Sequence, residues 1–268
     1  MTLLTVEGLD IDAPGGRALV RDFSIEVAAG EIVGVVGESG SGKTMTALSL
    51  LGLLPDGVAV VRGEASLGGR PFLRGGSVRE RPNATMVFQN PTAALNPTMR
   101  IGAQLTRLLT FLEKKTASPV NKGRRGRDGR RARAEELLDS VGIAEPGAVM
   151  GRYPHQLSGG MNQRVGIAMA IAAAPALLIA DEPTTGLDVT VQAQILQLIR
   201  TTVADRGIGV LFVSHDMGVI AQMCRRVAVM YRGELRECAD VDDIFHAPRD
   251  EYTRELLAST MEQAAGGR

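Results

Sequence analysis

The sequence predicts a mixed α/β fold built around a phosphate-binding loop, and three observations predict it. Gly37-Glu38-Ser39-Gly40-Ser41-Gly42-Lys43-Thr44 has the glycine spacing and the terminal Lys-Thr of such a loop. It is preceded by a short apolar run rich in branched residues, Ile32 to Val36, and followed by Met45 to Leu54, a strand and a helix in the order the loop requires. Two more apolar runs, Leu177 to Ala180 and Gly209 to Ser214, suit buried strands of the same sheet. The opening segment through Val27 reads as strands and turns.

The chemistry of the loop follows residue by residue. Its glycines let backbone N–H groups turn inward around a phosphate. Lys43 places a positive charge on the terminal phosphates, Thr44 offers a hydroxyl to magnesium, and the helix start adds a partial positive charge. Asp181 and Glu182 follow Leu177 to Ala180, so they sit at the carboxyl end of a buried strand, where open α/β sheets bind ligands. Magnesium prefers hard oxygen ligands and keeps several waters, which makes Asp181 a direct or outer-shell partner. Glu182 points to the other side and can polarise the water that attacks a γ-phosphate. The bland alternative, a solvated acidic pair in a turn, gains nothing from the phosphate loop elsewhere in the chain.

Other residues are less specific on their own. His215 ends the run Gly209 to Ser214 and therefore reaches the same sheet edge, whereas His155 and His246 read as surface residues. Gln89 follows Thr85 to Phe88, a strand that Asn90-Pro91 breaks. Ser158 is a helix N-cap ahead of Met161 to Ala174, with Gly159-Gly160 permitting close approach to a phosphate. Asp188 can cap a helix from Val189 to Ala204.

The segment Leu157-Ser158-Gly159-Gly160-Met161-Asn162-Gln163-Arg164, shortly before the strand that ends in Asp181-Glu182, joins these pieces. With the phosphate loop, and in this order, it resembles the ATP-binding subunit of an ABC transporter. The resemblance implies an ABC-type P-loop ATPase core with an antiparallel β subdomain and a small α-helical subdomain. The core would take residues 1–98 and 154–268, and the helical subdomain about 99–153. ATP and Mg2+ are the implied cofactors, the metal held by Thr44, Gln89 and Asp181. Residues Gly37, Glu38, Ser39, Gly40, Ser41, Gly42, Lys43 and Thr44 would bind the nucleotide. Glu182, His215 and Gln89 would be catalytic, with His215 on the γ-phosphate and Gln89 on a mobile loop that reaches magnesium and the attacking water. Ser158, Gly159, Gly160 and Gln163 would bind ATP held by an opposing second subunit, and Asp188 lies in the loop that links the two sites.

Tyr153-Pro154-His155-Gln156, Asp188 to Gln194 and His215 to Val219 are similar to the peptide and nickel importer branch. Many oligopeptide members carry a cysteine-rich tail; this sequence stops at Arg268 without one, which leans toward nickel or metal-chelate cargo. The branch implies a paralogous second ATP-binding subunit, two transmembrane permease subunits and a soluble substrate-binding protein, with the chain peripheral on the cytoplasmic face of the inner or plasma membrane. One departure stands out. Relatives stack an aromatic ring on adenine upstream of the phosphate loop, but here that neighbourhood reads Leu9 to Arg17 with Ala13 and no aromatic, leaving Arg17 as a substitute.

Composition agrees with this picture. The chain has 268 residues, enough for a sizeable core, and its 30 basic residues balance 30 acidic ones, which argues against nucleic acid as a partner. The longest apolar stretch, Ile167 to Ala180, is interrupted by Pro175, so no membrane span is expected; nor is a secretion signal. Two cysteines are too few for a disulfide framework or a metal cluster. The basic stretch Lys114 to Arg133, densest from Lys122 to Arg131, reads as a solvated insertion or loop, with anionic lipid headgroups as the rival partner. Val241 to Met261 reads as short amphipathic helices and Gln263 to Arg268 as a frayed end. Two alternatives remain at this level. A soluble ABC-type ATPase of translation or DNA repair would need a tandem cassette or a coiled-coil insertion. A metabolic kinase would leave Leu157 to Gln163 unexplained.

Overall fold

The structure is a computed structural model that describes residues 1–115 and 126–266, and it forms two compact units. The first comprises Met1–Ala84, Ala176–Glu182 and Arg200–Arg268; the second comprises Thr85–Pro175 and Pro183–Ile199. The strands are β1 (Thr2–Ala13), β2 (Arg17–Ala28), β3 (Ile32–Val36), β4 (Ala59–Leu67), β5 (Arg70–Arg74), β6 (Ser77–Val78), β7 (Ala84–Val87), β8 (Leu177–Asp181), β9 (Gly209–Val213), β10 (Arg226–Tyr231) and β11 (Glu234–Asp240). The helices are α1 (Lys43–Leu51), α2 (Pro91–Ala94), α3 (Ile101–Lys115), α4 (Arg127–Ser140), α5 (Pro146–Met150), α6 (Gly159–Ala172), α7 (Val189–Arg206), α8 (Met217–Met223), α9 (Val241–His246) and α10 (Glu251–Gly266).

In the first unit the strands run in the order β6-β5-β4-β1-β2-β11-β10-β3-β9-β8. The amino-terminal half is antiparallel: β1 pairs with β2 and β4, β4 with β5, and β5 with β6. Its residues alternate, with Leu4, Val6, Leu9 and Ile11 of β1 and Phe23, Ile25 and Val27 of β2 buried on one face. The register slips between Val6 and Leu9 because Gly8 takes φ of 57° at a bulge. In the other half β3 pairs in parallel with β10 and β9, and β9 with β8, while β10 and β11 form an antiparallel hairpin. Every residue of β8 and β9 is buried, as expected of strands covered on both faces. Gly34 in β3 lets α8 approach so closely that a Cβ there would stand 2.8 Å from Cδ1 of Ile220.

Helix boundaries depart from expectation where glycine or a cap intervenes. α1 starts at Lys43 and stops at Leu51, because Gly52 turns left-handed and returns its N–H to Leu48 and Ser49. α6 starts at Gly159, immediately after its Ser158 cap, and ends at Ala172, before the left-handed Ala174. α10 continues to Gly266, so most of the expected frayed end is helical; nothing between Tyr252 and Ala265 is a helix breaker. Residues 267–268 lie outside the described residues. His155 and His246 are exposed, the first stacked 5.5 Å from Tyr153.

The second unit is helical, and α7 passes out of it after Ile199. Leu105 and Leu109 of α3, Leu138 of α4 and Val165 of α6 are fully buried in its core. Residues 116–125 of the basic stretch lie outside the described residues, but from Arg127 onward the stretch is not a loop. It forms the first turns of α4, and the Arg130 guanidinium pairs with Glu113 of α3 at 3.1 Å. Arg and Ala are good helix formers, and Asp128 suits the first turn of a helix.

Candidate functional site

The loop between β3 and α1 is shaped by sterics. Gly37 has φ of 150°, and a Cβ there would stand 2.1 Å from the Met230 carbonyl oxygen at the end of β10. No other residue fits. Gly42 has φ of 101°, and a Cβ there would stand 3.0 Å from the Leu19 carbonyl oxygen. As the residue before α1 it brings no side chain to cap the helix, so the first N–H groups are left for a ligand. Lys43 is 6% exposed; its ammonium donates to the carbonyls of Gly37 at 2.7 Å and Glu38 at 2.8 Å, with Ser41 Oγ at 3.4 Å. Burial lowers its pKa, and the carboxylates of Glu182, Asp181 and Glu38 pull the other way.

The parallel strands bring the acidic residues to this loop. Asp181 ends β8 and is 4% exposed; its Oδ1 accepts from the Thr44 hydroxyl at 3.4 Å. Burial raises the carboxyl above its ordinary range, opposed by the Thr44 hydrogen bond, reinforced by Glu182 and opposed again by Lys43. Glu182 follows with φ of 45°, unusual for a residue with a side chain, and its N–H is tied to the Val213 carbonyl at 2.9 Å. That turn sends its carboxylate to His215, whose Nδ1 lies 3.2 Å from Glu182 Oε2. His215 is itself aimed by its neighbours: Ser214 Oγ accepts from the Asp216 N–H, and Asp216 caps α8 through Gly218 and Val219.

Lys43, Thr44, Asp181, Glu182 and His215 therefore converge in the first unit, as their strand-end positions predict. The remaining predicted residues lie in the second. Ser158 caps α6 by accepting from the Met161 N–H at 3.3 Å, and Asp188 caps α7 by accepting from the Val191 N–H at 2.9 Å. Gly160 is needed for packing, because a Cβ would meet Val191 Cγ1 at 2.5 Å. Gln89 is exposed just past β7. Gln163 differs from the others: it is 1% exposed and its Nε2 has no hydrogen-bond partner among the described residues, so it packs inside the unit rather than on its surface. Periodicity explains this, since Gln163 lies between Asn162 and Val165 on the buried side of α6.

Among the described residues, no group of three or more His, Cys, Asp and Glu side chains forms a metal cage. The donor set instead fits magnesium, which keeps waters and takes one or two protein oxygens alongside phosphate. Thr44 and Asp181, hydrogen-bonded to each other at 3.4 Å, are the residues that would supply those oxygens.

The sequence model of the ABC transporter family matches residues 20–185, more than half of the chain. The chain belongs to the ABC transporter family. Among its relatives is the glutathione import ATP-binding protein GsiA. The protein of Salmonella choleraesuis (strain SC-B67) is 43% identical over 97% of this chain and 41% of its own length. That of Escherichia coli (strain K12) is 42% identical over 98% of this chain and 43% of its own length. The chain thus spans less than half the length of these relatives. Among solved structures, cbiO1 from Clostridium perfringens, part of the ABC transporter complex cbiONQ, has a TM-score of 0.74 at 22% identity, covering 98% of both chains. The ATP-binding cassette MJ0796, a dimer bound to ADP and Pi after hydrolysis, has a TM-score of 0.72 at 25% identity, covering 89% of this ABC chain and 99% of its own.

The raised Asp181 carboxyl gives a stability prediction for the nucleotide-free chain. A carboxyl raised in the fold contributes stability below the ordinary carboxylate range and loses it as pH climbs through the folded value. Asp181→Asn mimics the protonated form, so it should melt a few degrees above wild type at neutral pH. The gap should close as pH falls below about 4, where the wild-type carboxyl is protonated in both states. Melting curves across this range check it; a wild type that is the more stable at neutral pH would contradict the burial argument.

Proposed function

We propose that this chain is the ATP-hydrolysing subunit of an ABC importer for a peptide-type cargo. The observation that carries the reading is the meeting of Lys43, Thr44, Asp181, Glu182 and His215 at one sheet edge, with a backbone-strained Glu182 held against His215. In this reading the loop from Gly37 to Thr44 cradles the phosphates of ATP, and Lys43 exchanges its loop carbonyls for phosphate oxygens. Thr44 and Asp181, with Gln89 from its loop, would hold magnesium, which when bound would supply charge neutralisation to the phosphates. Glu182 accepts the proton of the attacking water, and His215 positions that carboxylate and meets the γ-phosphate.

Ser158, Gly159 and Gly160 complete the site of a second ATP-binding subunit, with Asp188 linking the two sites. The buried Gln163 supports that surface from behind. Two permease subunits and a substrate-binding protein complete the importer, and the chain works as a peripheral subunit on the cytoplasmic face of the membrane. The relatives' names carry glutathione, a tripeptide, and so favour peptide over nickel or metal-chelate cargo. No helix among the described residues is long and apolar enough to cross a membrane.

Three outcomes test the reading. Glu182→Gln keeps the side-chain shape and removes the charge that accepts a proton, so turnover should fall by about a hundredfold or more while ATP binding survives. Near-normal turnover in the assembled complex rules Glu182 out as the base.

Ala13 offers no ring to adenine, and one lost stack is on the order of 1 to 3 kcal/mol. ATP and GTP should therefore compete within about tenfold of each other. A thousandfold preference for ATP would mean that some other residue reads the base.

A chain paired with its own copy should also show complementation. Lys43→Ala and Ser158→Arg chains each spoil both shared sites, whereas the mixed pair retains one intact site. Turnover of the mixture equal to the average of the two variants contradicts the shared-site arrangement.

A further inference from the structure

Glu38 opens the phosphate loop, and both sides of its backbone are engaged. Its carbonyl accepts from the Lys43 ammonium at 2.8 Å, and its N–H donates to the hydroxyl of Tyr252 at 3.2 Å. Tyr252 lies 214 residues further along the chain, in the first turn of α10. It is 8% exposed, and its ring stacks on Tyr231, the last residue of β10, at 4.1 Å between centroids and 28° between planes. An aromatic ring clamped in this way has little freedom to swing its hydroxyl off Glu38.

The helix that carries Tyr252 is fixed at its own start. Asp250 Oδ1 accepts from the N–H groups of Tyr252 and Thr253, and its other oxygen pairs with Arg236 of β11 at 3.1 Å. Glu237, the next residue of β11, accepts from the N–H groups of Arg249 and Asp250. The turn between β10 and β11 reaches the loop as well, since the Gly233 N–H donates to the Ser41 carbonyl at 3.1 Å. The loop is therefore held from outside by a hairpin at Ser41 and by a helix at Glu38. Neither anchor is part of the strand–loop–helix motif.

We infer that Tyr252 is a positioning residue of the phosphate loop, its hydroxyl holding Glu38 so that the loop keeps the curvature that receives a polyphosphate. This rests on the proposed nucleotide site and assigns α10 a role in it. Preorganisation of this kind lowers the ordering cost that binding otherwise meets. It acts on affinity rather than on the chemical step, because Tyr252 touches the loop backbone and not the reacting atoms.

Tyr252→Phe in the full chain isolates the hydroxyl while retaining the ring stack. Removing one hydrogen bond should weaken ATP binding and raise KM about threefold to tenfold, with kcat at saturating ATP unchanged. Hydrogen exchange without nucleotide should speed up at the loop amides from Glu38 to Ser41 and stay at the wild-type rate in β11 and the rest of α10. Wild-type affinity together with wild-type loop exchange overturns the inference. So does faster exchange throughout α10 and β11, which means that the substitution loosens the helix as a whole. A wild-type chain that binds no ATP would overturn the ATPase reading instead, and loop exchange would still decide whether Tyr252 orders the loop.

Discussion

The close contact between Gly37 and the Met230 carbonyl sets the geometry on which the site depends. Because only a hydrogen fits there, the chain leaves β3 along a path that brings the Gly37 and Glu38 carbonyls to the Lys43 ammonium. A buried ammonium is costly unless its hydrogens are bonded, and the loop supplies those acceptors itself. The cation is thus stored in place, on groups that a phosphate can displace. A side chain at residue 37 would spoil the path and the storage together.

Around that loop the parallel sheet acts as a positioning device. β8 and β9 are buried along their whole length, and their register pairs Asp181 with Val213. Glu182 and His215 therefore leave adjacent strands at the same edge. The left-handed turn at Glu182 is the cost of pointing its carboxylate at His215, and the hydrogen bond to Val213 holds it there. The strands place the carboxylates, and the loop provides the N–H groups.

Much of this was legible in the sequence. A phosphate loop is a local code: its glycines, lysine and hydroxyl act through the backbone of a few consecutive residues, so Gly37 to Thr44 can be assigned without knowing the fold. Buried parallel strands are legible for the same reason, since continuous apolar runs such as Leu177 to Ala180 admit few other readings. Caps at Ser158 and Asp188 are local as well, and each is made within three residues.

What the tertiary structure alone decided involves partners distant along the chain. Burial of Gln163 depends on which face of α6 packs inward, and the pairing of Arg130 with Glu113 depends on α3 standing opposite α4. Tyr252 shows this most clearly: as a sequence it is one aromatic in an amphipathic tail, and nothing nearby relates it to a loop more than two hundred residues earlier. Only the pairing of β10 with β3 and the anchoring of α10 on β11 bring its hydroxyl to Glu38. Short-range backbone chemistry is written in consecutive residues, whereas a contact closed by the order of strands in a sheet exists only after the sheet has formed.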